Sequence, residues 1–393
     1  MKKNILFIIN NLNCGGAEKA LVSLLQTMDY SKYNVDLLLF KQEGIFLKNI
    51  PKEVNLLEEP TGYNYFDMSI KVSILECIKN FRFDIALNRL FAGYILKTEK
   101  NRAVCEQRVW KYISRSIKSL NKKYDVAIGY LEKNPIYYCV EKVNADKKIG
   151  FIHTDYEKLK IDSNIDQKYF EKLDNIVTIS NVCAEVLKRK FSQYEQKIKV
   201  MHNIISPRII NKMAIEDISI NNEMINIVSV GRLVDIKGFD MAIEACELLK
   251  NDGYDFTWSI IGEGTERSKL EEMIKELHLQ DNFKLLGIKE NPYPYIRQAD
   301  IYVHPSRFEG KSIAIDEAKI LNKPIIVTNF STAKDQINNQ INGLIVDMTS
   351  ESIYKGVKQL IDSKELRRYL SSNLSKEELG TEKEIEELYK LFS

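Results

Sequence analysis

Short apolar runs recur along this 393-residue chain, each closing in a polar or glycine-bearing turn and leading into a segment with helical spacing. Residues 4–9, 35–40, 84–87, 125–130, 148–156, 175–181 and 199–205 are such runs. They are apolar throughout rather than alternating, as strands covered on both faces must be. Strands that alternate with helices imply a parallel sheet with crossover connections. A second series opens at residues 225–231 and continues through 257–264, 282–288, 300–305, 323–328 and 342–346. The pattern predicts an α/β chain with two doubly wound, Rossmann-like sheets, and the length fits two domains. Residues 206–224 are polar, poorly periodic and contain Pro207, so they read as the connection between the two. Residues 350–374 look helical, and 382–392 form an amphipathic helix. The expected division is 1–205, 206–375 and a terminal segment 376–393.

Charge and composition exclude several functions. Lys and Arg number 57 against 55 acids, a net +2, so no global field points to nucleic acid. Cys14, Cys77, Cys105, Cys139, Cys183 and Cys246 show no paired spacing, and the four histidines are dispersed, so no metal cluster is visible. A reduced, cytoplasmic compartment is expected. No run approaches the roughly 20 apolar residues of a membrane span. The N-terminal run turns polar at Asn10 and Asn11, too soon for a signal peptide, and reads as a first strand.

Four places carry candidate chemistry. After the run at 300–305, Pro305 and Gly310 bracket a turn, and Ile313, Ile315, Ala318 and Ile320 begin a helix. Glu309 falls on the loop facing the helix start at Ser312 and Ile313, and Glu317 is expected about two turns in. Free amides and a positive dipole end make such a start an anion site. Gly15 and Gly16 stand between the first strand and a helix, where close backbone approach to a ligand is permitted, although a dinucleotide fingerprint is absent. Arg232 and Lys237 flank a loop at the carboxyl end of a strand, where two fixed cations can neutralise a diphosphate. His153 ends the run at 148–156, the usual ligand edge of an open α/β sheet.

The phrases Ser306-Arg307-Phe308-Glu309-Gly310, with Glu317 eight positions after Glu309, and Gly231-Arg232-Leu233-Val234-Asp235-Ile236-Lys237-Gly238-Phe239 resemble the family-4 retaining glycosyltransferases of the GT-B fold. The resemblance runs along the whole chain, strongest over 225–345 and weakest over 45–145. It implies two domains facing across a cleft, with the terminal helix crossing back to the first. It implies transfer of a sugar, with retention, from a nucleotide-diphosphate donor, a UDP-sugar being favoured, with no metal or cofactor. By resemblance, Gly15, Gly16, Arg232, Lys237, Ser312 and Ile313 surround the diphosphate. Gly287 and Ile288 lie near the base, Glu317 binds the ribose, and Glu309 and His153 lie near the donor sugar. The acceptor is expected to be a glycan or a polyprenyl-diphosphate-linked glycan at the inner face of the cell membrane. A sugar-nucleotide epimerase of the same fold and a sugar-binding protein remain alternatives.

Residues 97–123 hold nine basic side chains against Glu99 and Glu106. Helical spacing puts Trp110, Ile113, Ile117 and Leu120 on one stripe and Lys111, Arg115, Lys118 and Lys122 on the opposite one. This second stripe is the expected contact with an anionic bilayer or a lipid-linked acceptor.

Overall fold

The structure is a computed structural model and describes residues 2–13, 15–218 and 224–393. Cys14 and residues 219–223 of the expected connection lie outside the described residues. The chain forms two compact units, the first from residues 1–204 and 382–393, the second from 205–381.

Unit one holds a seven-stranded sheet of β1 (Lys3–Ile9), β2 (Tyr33–Leu39), β3 (Val54–Leu56), β4 (Lys123–Gly129), β5 (Asn144–Ile152), β6 (Asn175–Thr178) and β7 (Ile198–Val200). The order is β3-β2-β1-β4-β5-β6-β7, with every pairing parallel. Ile5 through Ile9 are fully buried, as a central parallel strand requires. Unit two holds β8 (Ile225–Val230), β9 (Phe256–Ile261), β10 (Phe283–Leu285), β11 (Ile301–His304), β12 (Ile325–Thr328) and β13 (Leu344–Val346). Its order is β10-β9-β8-β11-β12-β13, again all parallel. Both sheets wind outward from their first strand in one direction and then in the other. The reversal falls between β1 and β4 in unit one and between β8 and β11 in unit two, and ligands of doubly wound sheets bind at the carboxyl ends of such strands.

Several elements differ from their sequence reading. Residues 84–87 are not a strand but the first turn of the helix Phe83–Thr98. That helix is apolar around much of its circumference, so neither period stands out, and Asp84 suits a helix start. The short edge strand β3 has no apolar run to announce it. Within the expected connection, Pro207–Met213 is helical, with Pro207 at its first position and the Ser206 hydroxyl accepting from the Ile209 amide at 3.5 Å. A proline there starts a helix rather than breaking it. Ile210 and Ala214 enter the core of unit two.

Residues 376–381 also stay with unit two. The Ile205 amide donates to Thr381 Oγ1 at 2.8 Å, the Thr381 amide donates to the Ile205 carbonyl at 3.0 Å, and Glu377 pairs with Lys319 at 3.0 Å. The helix Ile385–Phe392 belongs to unit one. Its Ile385, Leu388 and Phe392 are buried with Val22, Leu25 and Met28, and Tyr389 stacks on Tyr33 with ring centroids 4.8 Å apart.

Candidate active site

In unit two the loops that follow β8 and β11 are stitched together. Gly238 has φ +65°, and a Cβ there would lie 2.1 Å from the Pro305 carbonyl oxygen, so only glycine allows this approach. The Arg307 amide donates to the Ile236 carbonyl at 2.8 Å. The Arg307 guanidinium grips the Asp240 carboxylate through both oxygens, at 2.8 and 2.6 Å. Burial opposes ionisation of Asp240, but Arg307 outweighs it and holds the carboxyl below the usual range.

This stitching brings Lys237 and Glu309 together. Lys237 Nζ stands 2.5 Å from Glu309 Oε1, and the same oxygen accepts from Ser306 Oγ at 2.7 Å and faces His304 Nε2 at 2.7 Å. Both ion-pair side chains are largely buried. Burial alone would raise the Glu309 carboxyl, yet its hydrogen-bond donors and the Lys237 charge hold it well below the usual carboxylate range. Burial lowers His304, so the imidazole is neutral at neutral pH. Its Nε2 is then assigned the proton it donates to Glu309, while Nδ1 faces Tyr302 Oη at 3.5 Å. The charge that matches Glu309 is therefore that of Lys237. Arg232 is exposed, and its guanidinium has no ion-pair partner among the described residues.

The helix after this loop spans Ile313–Ile320, and no described side chain caps its start. The Ser312 amide is already taken, donating to Gln336 Oε1 at 2.9 Å, while Gln336 Nε2 donates back to the Ser312 carbonyl at 2.8 Å. Because the helix begins at Ile313, Glu317 lies about one turn in, not two. Glu317 is buried, and its Oε1 accepts from the Tyr293 hydroxyl at 3.0 Å. Gly287, with φ +71°, accepts from the Gly262 amide at 3.0 Å, and Ile288 beside it is exposed.

Unit one gathers its own residues at the carboxyl ends of β1, β4 and β5. His153 follows β5 beside the stacked rings of Tyr130 and Phe151, with centroids 4.7 and 5.8 Å away. Both of its ring nitrogens are buried without a hydrogen-bond partner among the described residues, as are Asn10 Oδ1 and Asn134 Oδ1. Burial pushes the His153 pKa down to about 4. The His153 amide donates to Glu132 at 3.3 Å, and burial raises that carboxyl. Buried polar atoms are paired in most structures, so four orphans around one switch point mark a place built for something else to bind. Gly15 stands just before the helix Gly16–Thr27, and a Cβ there would strike the Glu18 carboxylate, so the chain's own acid occupies this approach.

His304, Asn10, Glu132 and Asn134 escape the sequence reading. His304 sits inside an apolar run, and Asn10 reads as the polar end of a strand. For Asn10 the available signal is position, since it adjoins the end of a buried strand next to a reversal in strand order, whereas Asn134 opens the helix Asn134–Lys142 after β4 and carries no such signal.

The basic stripe expected over 97–123 is broken. The helix Arg102–Ser116 ends before Lys118, so Lys111 and Arg115 share a face and Lys118 and Lys122 do not. Lys122 instead pairs with the buried Asp36 at 2.8 Å. Trp110, Ile113 and Ile117 are buried, and Leu120 is partly so. Among the described residues no three His, Cys, Asp or Glu side chains converge to hold a metal ion, and no helix is long and apolar enough to cross a membrane.

Residues 212–377 match the family described as glycosyl transferases group 1. The N-acetylgalactosamine-N,N'-diacetylbacillosaminyl-diphospho-undecaprenol 4-alpha-N-acetylgalactosaminyltransferase of Campylobacter jejuni is 31% identical over 201 residues, covering 51% of this chain and 54% of that one. The lipopolysaccharide core biosynthesis glycosyltransferase LpsD of Rhizobium meliloti is 26% identical over 206 residues, covering 52% of this chain and 58% of that one. The chain thus spans about half the length of the curated relatives it matches. Among solved structures, Anabaena HepE in complex with UDP-glucose superposes with a TM-score of 0.67 at 13% identity, over 99% of this chain and 98% of that one.

Proposed function

We propose that this chain, which matches the glycosyl transferases group 1 over residues 212–377 and shares the GT-B fold of HepE, moves a sugar from a nucleotide-diphosphate donor, UDP-linked by preference, to a lipid-linked glycan in the assembly of a bacterial surface polysaccharide or glycoconjugate. The observation that carries the reading is the ionised Glu309, held by Lys237 and His304 at the reversal point of the second sheet. Two relatives add weight to it. One is named for a diphospho-undecaprenol-linked substrate and the other for lipopolysaccharide core synthesis.

In this reading the bond from the anomeric carbon to the diphosphate oxygen breaks, and a bond from that carbon to the acceptor oxygen forms on the same face. The acceptor proton passes to the departing phosphate. Charge develops on the leaving diphosphate, and fixed cations and amides aimed at it are the usual source of stabilisation. Arg232 is free to move onto it, and Lys237 has a donor hydrogen to share beyond its bond to Glu309. The Ile313 helix start is a further donor. Glu317 receives a ribose hydroxyl, with Gly287 and Ile288 beside the base. Glu309 contacts the donor sugar. These groups replace a divalent ion, so the reaction runs without metal or cofactor.

The test is release of nucleotide diphosphate from a panel of nucleotide sugars, with and without lipid-linked acceptor extract and with and without EDTA. Acceptor-dependent, chelator-resistant release, with the anomeric configuration of the product read by NMR, is expected. Interconversion of the donor sugar without transfer would mean an epimerase, and binding without turnover a sugar-binding protein. Loss in EDTA that a divalent ion restores would reject the metal-free clamp.

A further inference from the structure

The helices Ile70–Lys79 and Phe83–Thr98 of unit one carry an outward face that no described residue of unit one covers. Of the twenty large apolar side chains exposed among the described residues, eleven lie between positions 70 and 96. That concentration separates them from the scattered surface apolar residues any protein shows. On the second helix Phe83, Leu87, Leu90 and Tyr94 follow one another at helical spacing, so they form a single stripe, and each is about half exposed or more. Val72, Leu75 and Ile78 line the outer side of the first helix in the same way.

This face is not the product of loose packing. The inner sides are well seated, with Ser73 and Cys77 buried on one helix and Ile85, Ala92 and Gly93 on the other. The missing Cβ of Gly93 is where Ile70 sits, its Cδ1 only 2.7 Å from the position a methyl group would take. Arg89 reaches from the second helix to the carbonyls of Tyr65 and Met68 at 3.0 and 2.8 Å. At the turn between the helices Phe81 adopts φ +57° and is 81% exposed. A phenylalanine in the left-handed region with its ring in water is unfavourable on both counts, which marks a place where the fold is held for a use.

The charge around the face tells what covers it. Lys71, Lys79 and Lys97 stand exposed at its edges, while the carboxylate of Asp84 is occupied by Arg82 at 3.1 Å. A second copy docked face to face would set these lysines against their own kind, which costs association energy. Leucine and aromatic side chains bordered by lysine are what a helix lying in an anionic membrane interface presents.

We propose that these two helices bury their outward face in the headgroup–acyl boundary of an anionic bilayer. The attachment is apolar insertion steered by lysine, distinct from the stripe of Lys111, Arg115, Lys118 and Lys122, and it does not rest on the donor chemistry.

Flotation with phosphatidylglycerol–phosphatidylcholine vesicles tests it. The wild-type protein should float with these vesicles and keep part of its binding in high salt, because inserted apolar surface is not screened as charge is. The triple variant Leu75→Glu/Leu87→Glu/Tyr94→Glu alters only exposed positions and should melt as the wild type does. Its vesicle partitioning should fall on the order of tenfold or more. A fluorophore placed by Phe81→Cys gives an independent reading and should shift to the blue on vesicles. Flotation of the triple variant equal to that of the wild type overturns the proposal. So does a wild-type protein that ignores anionic vesicles, or one that forms a dimer which the triple variant disrupts while vesicle binding is absent.

Discussion

His153 is buried with a pKa near 4, while the same ring in an unfolded chain titrates near 6.5. As pH falls, the unfolded state takes up this proton first. The contribution is therefore fully present above about pH 6.5 and is lost between about 6.5 and about 4, by up to about 3 kcal/mol. His153→Phe keeps the stacking on Tyr130 and Phe151 and should flatten that part of the acid loss. Urea midpoints taken near neutrality and at about pH 5 compare the two proteins, and equal losses would reject the assignment. The neighbouring ion pair makes a different demand. Lys237→Ala leaves Glu309 ionised among neutral donors, which should cost about 3–5 kcal/mol of stability and on the order of 10²–10³ in turnover. Adding Glu309→Gln should recover stability without recovering turnover. If the double variant is no more stable than Lys237→Ala, the pair is not the source of the loss. Glu317→Ala should weaken binding of bare UDP by about 1–3 kcal/mol, because it removes an acceptor for a ribose hydroxyl, whereas Glu309→Ala should spare it. Calorimetric titration with UDP separates the two, and equal losses in both would show their roles wrongly divided.

Among the elements, the two loops at the second switch point depend on one glycine. Gly238→Ala places a methyl group 2.1 Å from the Pro305 carbonyl in a backbone region alanine avoids, so the loops must part and Lys237 must leave Glu309. A loss of about 1–3 kcal/mol in stability together with turnover is expected. Near-wild-type values for both would mean the loops are not coupled. This loop pair also shows what the sequence could and could not disclose. Buried parallel strands write themselves as unbroken apolar runs, so most strands of both sheets were legible; the edge strand β3 was not, and the start of the helix Phe83–Thr98 passed for a strand. A helix with apolar residues on several sides erases the contrast that periodicity needs. The Arg102–Ser116 helix stops where Ile117 turns extended, and nothing local foretells that, so a four-residue basic stripe was read across a break. Arg232, Lys237, Glu309 and Glu317 were visible as a phrase. Their pairing was not, because the contact between Lys237 and Glu309 spans 72 positions. His304 was hidden for a different reason: it lies only five positions from Glu309, but its neighbours in sequence look like any strand.

At the scale of the molecule, unit one is discontinuous. Ile385, Leu388 and Phe392 are almost fully buried in its core, and each such side chain contributes about 1.5–3 kcal/mol by burial. Removal of residues 382–393 should therefore lower the stability of unit one by several kcal/mol and leave unit two nearly unchanged. The chain has two tryptophans, Trp110 in unit one and Trp258 in unit two, so single-tryptophan variants report each unit's melting separately. A truncated protein in which both reporters melt as before would show that the helix adds nothing to unit one. The same arrangement bears on how the protein is made. Residues 205–381 form one unbroken stretch and can fold as soon as they leave the ribosome. Unit one, although its first 204 residues emerge earlier, waits for residues 385–392 before its core is closed. Through all of the synthesis of unit two, the nascent chain exposes the apolar groove of Val22, Leu25 and Met28 that this helix will fill. The half made first is the half completed last, and in the interval that groove is open to chaperones, to proteases and to the matching helix of a neighbouring chain.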